Sequence, residues 1–162
     1  MMKITGFDDC FTILLGNEGD YSNNPRDPGG ETRFGTTKRV ALAYGYSGPM
    51  QELPLETAKS IAKTQYWDKY HCDQFDPRIG LQLFDAAYNG GHPVEWLQTA
   101  VGVTPDGIIG AGTIGAVRAA DPIVVASSIS CQRLLYLAGI PGWSEFGKGW
   151  TRRIANNLLR SL

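Results

Sequence analysis

Four carboxylates lie close together near the start of this sequence: Glu18, Asp20, Asp27 and Glu31. Two carboxyl groups on either side of a bond, one protonated and one ionised, are the usual equipment for cutting a glycosidic linkage. Glu18 suits the protonated role. Phe7, Phe11, Leu14 and Glu18 are spaced by four, three and four residues, so on a helix they share one face. Three of them seek a core, and the fourth then sits at the edge of the apolar interior. Partial burial raises a carboxyl pKa, as a general acid near neutral pH requires. The partial negative charge at a helix C-terminus pushes the same way, and Asp20 adds a further negative charge nearby. Asp27, between Arg26 and Pro28, is the candidate second group, kept ionised by the neighbouring arginine. The same residue also reads as a turn former before Pro-Gly. Glu31 reads as a surface charge or, with a hydroxyl such as Thr36, as the completion of the site.

The elements that must position these groups are announced by helix punctuation. Asp76-Pro77 opens a helix that ends at Gly90-Gly91, and His92-Pro93 opens another that ends at Gly102. Asp121-Pro122 opens a long one that ends at Gly139, and Pro54 opens one running through LETAKSIAKTQYWDKY. Trp143, Phe146, Trp150, Ile154 and Leu158 recur at helical spacing and read as a core stripe. Lys148, Arg152, Arg153 and Arg160 read as a solvated basic face. Only the segment 19–35, GDYSNNPRDPGGETRFG, resists a helical reading; it has room for a short β-hairpin and is long enough to be functional. Tyr21, Asn23 and Asn24 line its turn and can hold a water between Glu18 and Asp27. An inverting pair needs about 6.5–9.5 Å for that water, so the expected reaction inverts the anomeric centre.

The run EGDYSNNPRDPGGETRFGTT resembles the signature of glycoside hydrolase family 108, the N-acetylmuramidases of phages and prophages. Glu18, Gly19, Tyr21, Asn24, Pro25, Asp27, Gly29, Gly30, Thr32, Gly35 and Thr37 fall on the pattern E-G-G-Y, N-x-P-x-D-x-G-G-x-T, G-I-T; Asp20 and Thr36 depart from it. The resemblance implies a mostly α, lysozyme-like fold with the loop or hairpin segment at the cleft and Glu18 as catalytic acid. In a broader comparison with phage lysozymes, Glu18 and Asp27 have the usual separation, and Thr32 falls one residue short of the third position. FDAAYNGG, Phe84 to Gly91, resembles the cleft-lining helix of lysozyme folds, with Asn89 facing substrate or capping the helix. Tyr21, Thr32, Thr36 and Asn89 are therefore the substrate-binding candidates. WLQTAVGVTPDGIIGAGTIGAV, Trp96 to Val117, resembles the D-G-x-x-G-x-x-T pattern of predicted peptidoglycan-binding segments, in which Asp106 and Gly107 turn the chain and Thr113 begins a helix. The expected organisation is a muramidase part at 1–91 and a helical peptidoglycan-domain-like part at 92–162, packed as one globular unit.

The 162 residues carry a net charge of −1, and no basic stripe with interleaved aromatics is present, which argues against nucleic-acid binding. Cys10, Cys72 and Cys131 are odd in number and form no CxxC pair, so a disulfide framework is not expected and synthesis in a reducing cytoplasm is. The start lacks the apolar stretch of a signal peptide, and no apolar run is long enough to insert in a membrane. An enzyme of this kind needs another protein, such as a holin, to breach the membrane before it meets the wall. It is expected to act as a monomer. His71, His92 and Cys72 make a poor zinc set, so no metal or cofactor is expected. Cys10 falls within the first apolar helix and reads as a small core residue. A non-catalytic wall-binding or secretion-related protein is the alternative from another class; an intact Glu18 and Asp27 favour an enzyme.

Overall fold

The computed structural model describes residues 3–17, 20–23 and 30–162, with the backbone alone at residue 17. Eight α-helices and a three-stranded antiparallel sheet are present among these residues: α1 (Phe7–Asn17), β1 (Tyr21–Ser22), β2 (Thr32–Arg33), β3 (Thr36–Thr37), α2 (Lys38–Tyr44), α3 (Leu55–Ala62), α4 (Pro77–Asn89), α5 (Pro93–Ala100), α6 (Ala111–Ala119), α7 (Pro122–Gly139) and α8 (Trp143–Ser161). The mostly α, lysozyme-like expectation holds.

Helix starts follow from their caps. The Asp76 and Asp121 carboxylates accept the backbone N–H two residues on, with proline at the first helical position of α4 and α7. Thr37 caps α2 by accepting from Val40 N, and Gly45, at φ +106°, closes it. α4 is the axis of the molecule. Eight successive residues from Ile79 to Ala86 are buried, because α1, α5, α7 and α8 all pack around it. A Cβ at its Gly80 would lie 3.1 Å from the Trp67 ring, a contact tight enough that the ring would have to give by a few tenths of an ångström.

Two apolar cores result. The larger joins Phe11 and Leu14 of α1, Trp67, Leu81 and Phe84 of α4, Leu97 of α5 and Ile129 of α7. The smaller, under the sheet, consists of Ala41, Met50, Leu53, Ala58 and Ile61, with Tyr21 and Phe34 packed against it.

Two helices depart from the sequence reading. The segment opened by Pro54 is α-helical only to Ala62 and then widens into a π-helical turn, Lys63–Asp68. That turn buries Trp67, whose indole N–H donates to Asp73 at 2.7 Å, and sets Tyr66 against Tyr88 with ring centroids 4.5 Å apart. The aromatic stripe of α8 is core only in its second half. Ile154 is buried, but Trp143 is 38% exposed and Phe146 and Trp150 are half-buried. Gly147 allows this, because Trp143 lies flat on the next turn where a Cβ would approach it to 2.7 Å. Among the described residues no single helix is long and apolar enough to cross a membrane.

Candidate active site

Glu18 and Asp27, the two proposed catalytic groups, lie outside the described residues, as does Asn24; the site is therefore built from its surroundings. α1 brings its buried residues Cys10, Phe11, Ile13 and Leu14 to the large core and ends at Asn17, so Glu18 is the next residue of the chain. Beside its last turn, between Gly16 and the α8 residues Phe146, Trp150 and Asn156, is a hollow of about 510 Å³.

The sheet forms because the chain makes a two-residue hairpin. Arg33 pairs with Thr36, and the intervening Phe34 and Gly35 both have positive φ, +49° and +73°. That sign pattern is the type I′ turn, whose twist matches paired strands. A phenylalanine in this region is strained, and three contacts hold it. Its ring packs on the small core, the Arg33 guanidinium lies 4.8 Å above the ring, and the Tyr88 hydroxyl is 3.4 Å from its carbonyl. β1 pairs through Tyr21 with Arg33 and Ser22 with Thr32.

Each substrate-binding candidate has a definite place. Tyr21 donates its hydroxyl to Glu31 at 3.0 Å, and Lys38 donates to the other oxygen of the same carboxylate at 3.1 Å. Lys38 first, then Tyr21, hold the Glu31 carboxyl below its ordinary range. Glu31 is thus an ionised tether between β1 and α2 and is poorly suited to donate a proton. Thr32 donates to the Gly30 carbonyl at 3.0 Å, a local turn bond. Thr36 is 2% exposed, and its hydroxyl pairs with that of Tyr88 at 3.0 Å; in this geometry it braces the sheet against α4. Asn89 is exposed, and its amide folds back to the Asp85 carbonyl at 2.8 Å, which satisfies one open carbonyl at the end of α4. The Thr36–Tyr88 pair thus gathers β3 and the C-terminal end of α4 along one seam, where the exposed Asn89 lies. Asp20 faces Arg33 at 3.4 Å, so its charge is partly offset.

The sequence reading passed over a group beneath this seam. Asp85 is fully buried in α4, with Arg133 of α7 at 2.6 Å and Arg153 of α8 at 2.7 Å. Burial alone would push the Asp85 carboxyl up, but the two guanidiniums, Arg153 before Arg133, outweigh it and keep it below the usual range. Arg153 is therefore an internal ion-pair partner rather than part of a solvated face. A lone Asp in the otherwise apolar FDAA was the available signal.

The D-G-x-x-G-x-x-T stretch is held from within. Gln98 donates to Asp106 at 2.7 Å and to Thr113 at 3.2 Å, and accepts from Gly107 N at 2.9 Å. Gly107 turns the chain at φ +76°. These residues tie α5 to α6. All three cysteines are free. Burial first, then the Asp9 and Asp85 charges, push the Cys10 thiol up to about 12, and burial likewise pushes Cys72 up; neither is an activated nucleophile. Among the described residues no three His, Cys, Asp or Glu side chains are gathered to hold a metal ion.

Comparison with known proteins agrees with this geometry. Residues 11–91 match the family model Glycosyl hydrolase 108, and residues 92–155 match the model Predicted Peptidoglycan domain, in that order. No curated protein matches the chain. A solved structure, described as the structure of Brucella abortus SagA, is similar over 96% of this chain and 92% of that one, with a TM-score of 0.87 and 32% identity. The chain belongs to the glycosyl hydrolase 108 family and is a glycoside hydrolase that acts on peptidoglycan.

Proposed function

We propose that this chain is a phage-type endolysin that hydrolyses the β-1,4 bond between N-acetylmuramic acid and N-acetylglucosamine, with Glu18 as general acid. The supporting observation is the course of α1. Its core-facing residues Phe11 and Leu14 are buried and its last described turn borders an open hollow, which supports reading Glu18, next on the same helical spacing, at the edge between apolar interior and cleft. A carboxyl group in such a position is disfavoured as an anion and holds its proton near neutral pH. In this reading Asp27 activates water on the opposite face of the sugar and the reaction inverts. The exposed Asn89 offers its amide oxygen to the substrate at the seam between sheet and α4. Three free cysteines suit synthesis in a reducing compartment, with action on the wall after a holin-like partner has opened the membrane.

Glu18→Gln tests the assignment. Glutamine keeps the shape and cannot donate a proton, a contribution worth roughly 10²–10⁴-fold in rate. Turbidity loss of permeabilised cells should fall by that factor, with an unchanged circular dichroism spectrum. Wild-type lysis by the variant removes Glu18 from its role. NMR of the product from the wild-type enzyme should show the α-anomer first; a β-anomer would exclude inversion and the assignment of Asp27 as base.

A further inference from the structure

A hollow of about 450 Å³ lies where the two matched stretches of the chain meet. Lys69, Tyr70 and Gly91 line it from the hydrolase stretch, and Glu95, Gly107 and Ile108 line it from the peptidoglycan stretch. Gly91 is two residues past Asn89, so the hollow adjoins the end of α4. No role assigned above uses it.

One wall is the D-G-x-x-G loop, whose polar groups are turned inward. The Gly107 N–H donates to Gln98 at 2.9 Å, the Ile108 N–H donates to Asp106 at 2.9 Å, and the Ile108 carbonyl accepts from Gln98 at 3.0 Å. The Ile108 side chain is nevertheless 68% exposed. An apolar group held out on a braced loop loses little further freedom when a ligand covers it.

The rim also carries two opposite charges. The Glu95 side chain is 40% exposed, and its one ion-pair neighbour among the described residues is His92, at 3.8 Å. A Cβ at Gly107 would stand 3.3 Å from the Glu95 Oε1, so the glycine that turns the chain also leaves this oxygen open. Lys69 is exposed and makes no ion pair among the described residues; its amine lies 5.9 Å from the centroid of the Tyr70 ring. A ligand that answers both charges has a cation and an anion of its own.

We propose that this hollow holds an uncrosslinked stem peptide of peptidoglycan, with the free side-chain amine of its diamino acid on Glu95, a carboxylate on Lys69 and an alanine methyl against Ile108. Charge complementarity selects the peptide over the glycan. The sugars are N-acetylated and carry no cation, and the lactyl carboxylate of muramic acid answers Lys69 but not Glu95. Crosslinking turns the side-chain amine into a neutral amide, so the site favours strands that are not yet joined to their neighbours. The inference does not depend on which residue protonates the glycosidic oxygen.

The test is an NMR titration of the isotope-labelled protein with N-acetyl-L-alanyl-γ-D-glutamyl-L-lysyl-D-alanine, in which the lysine side chain carries the only amine, and with the same peptide acetylated there as well. The amide signals of Gly91, Gly107 and Ile108 should move, and the free amine should tighten binding about fivefold, the scale of one half-exposed ion pair. Glu95→Gln should bind the two peptides alike. Lys69→Ala should weaken both about fivefold and keep their ratio. Both substitutions are on the surface, and an unchanged circular dichroism spectrum checks the fold. The proposal is overturned if those amides do not move, if the wild type binds the two peptides equally, if Glu95→Gln keeps the preference, or if Lys69→Ala binds like the wild type. A peptide-free glycan fragment that moves the same amides as strongly makes the hollow a sugar site and overturns it too.

Discussion

The two cores of this protein are built on different terms. Around α4, helices close on every side, and even a carboxylate with two guanidiniums is taken inside. Beneath the sheet, a handful of small and medium apolar residues support three strands of two residues each. Those strands are too short to hold themselves. They are kept in place by individual contacts: Thr36 with Tyr88, Tyr21 and Lys38 with Glu31, Arg33 over Phe34. The helical frame is over-determined, whereas the sheet side depends on a few hydroxyls and charges. The cleft residues therefore rest on a rigid wall and an adjustable one.

The largest break in this contrast comes from the frame. Asp85→Ala removes the carboxylate that Arg133 and Arg153, whose side chains are 5% and 11% exposed, both hold. Removing one partner of a buried ion pair costs about 3–5 kcal/mol, and here the Nε of Arg133 already lacks a partner among the described residues. Urea denaturation should show a loss of that size. The acid limb sharpens the point. The Asp85 carboxyl is more acidic in the folded protein than in the unfolded chain, so on acidification the unfolded chain takes up the proton first. The stabilisation is present above the unfolded value of about 4 and is lost as pH falls through the lower folded value. The Asp85→Asn protein, weaker at neutral pH, should show a shallower loss below pH about 4.

On the sheet side Tyr88→Phe is the informative change. It keeps the ring contacts with Tyr66 and Phe84 and deletes the hydroxyl that meets Thr36 and the Phe34 carbonyl. A buried threonine hydroxyl loses its partner, which costs about 1–2 kcal/mol. Lysis should fall more than this modest cost implies, because the seam beside Asn89 loosens. Hydrogen exchange should quicken in β2 and β3 while α4 and α7 stay protected. If exchange quickens equally in the helices, the two regions are one cooperative unit and the contrast fails. The smallest effect is expected at Asp20→Asn. The pair with Arg33 is 3.4 Å long and Asp20 is 73% exposed, so the melting midpoint should move by no more than ~0.5 kcal/mol equivalent.

The helical frame was legible in the sequence because its signals are local. An aspartate before a proline marks α4 and α7 whatever surrounds them, and the spacing of Phe11 and Leu14 marks the buried face of α1. The hairpin was legible only as a region rich in turn residues. Its decisive feature, Phe34 at positive φ, runs against residue preference and is enforced by tertiary contacts. Thr36 looked available to substrate because nothing local reveals that Tyr88, fifty-two residues on, takes its hydroxyl. Arg153 looked like surface charge for the same reason, its partner Asp85 being sixty-eight residues away. The aromatic stripe of α8 misled because spacing reports a shared face and not what covers it.

Asp85 lies in the stretch that matches the hydrolase family, and Arg133 and Arg153 in the stretch that matches the peptidoglycan one. The junction between the stretches is equally unforgiving, since Gly91 has φ +119° and a Cβ there would fall 2.5 Å from the Trp96 ring. A hybrid in which one half is replaced by a version that lacks the acid, either arginine or the glycine at the joint would lose this buried ion-pair group or strain the junction, and should be less stable than the parent. The two halves are thus coupled through their interior rather than only through their surfaces.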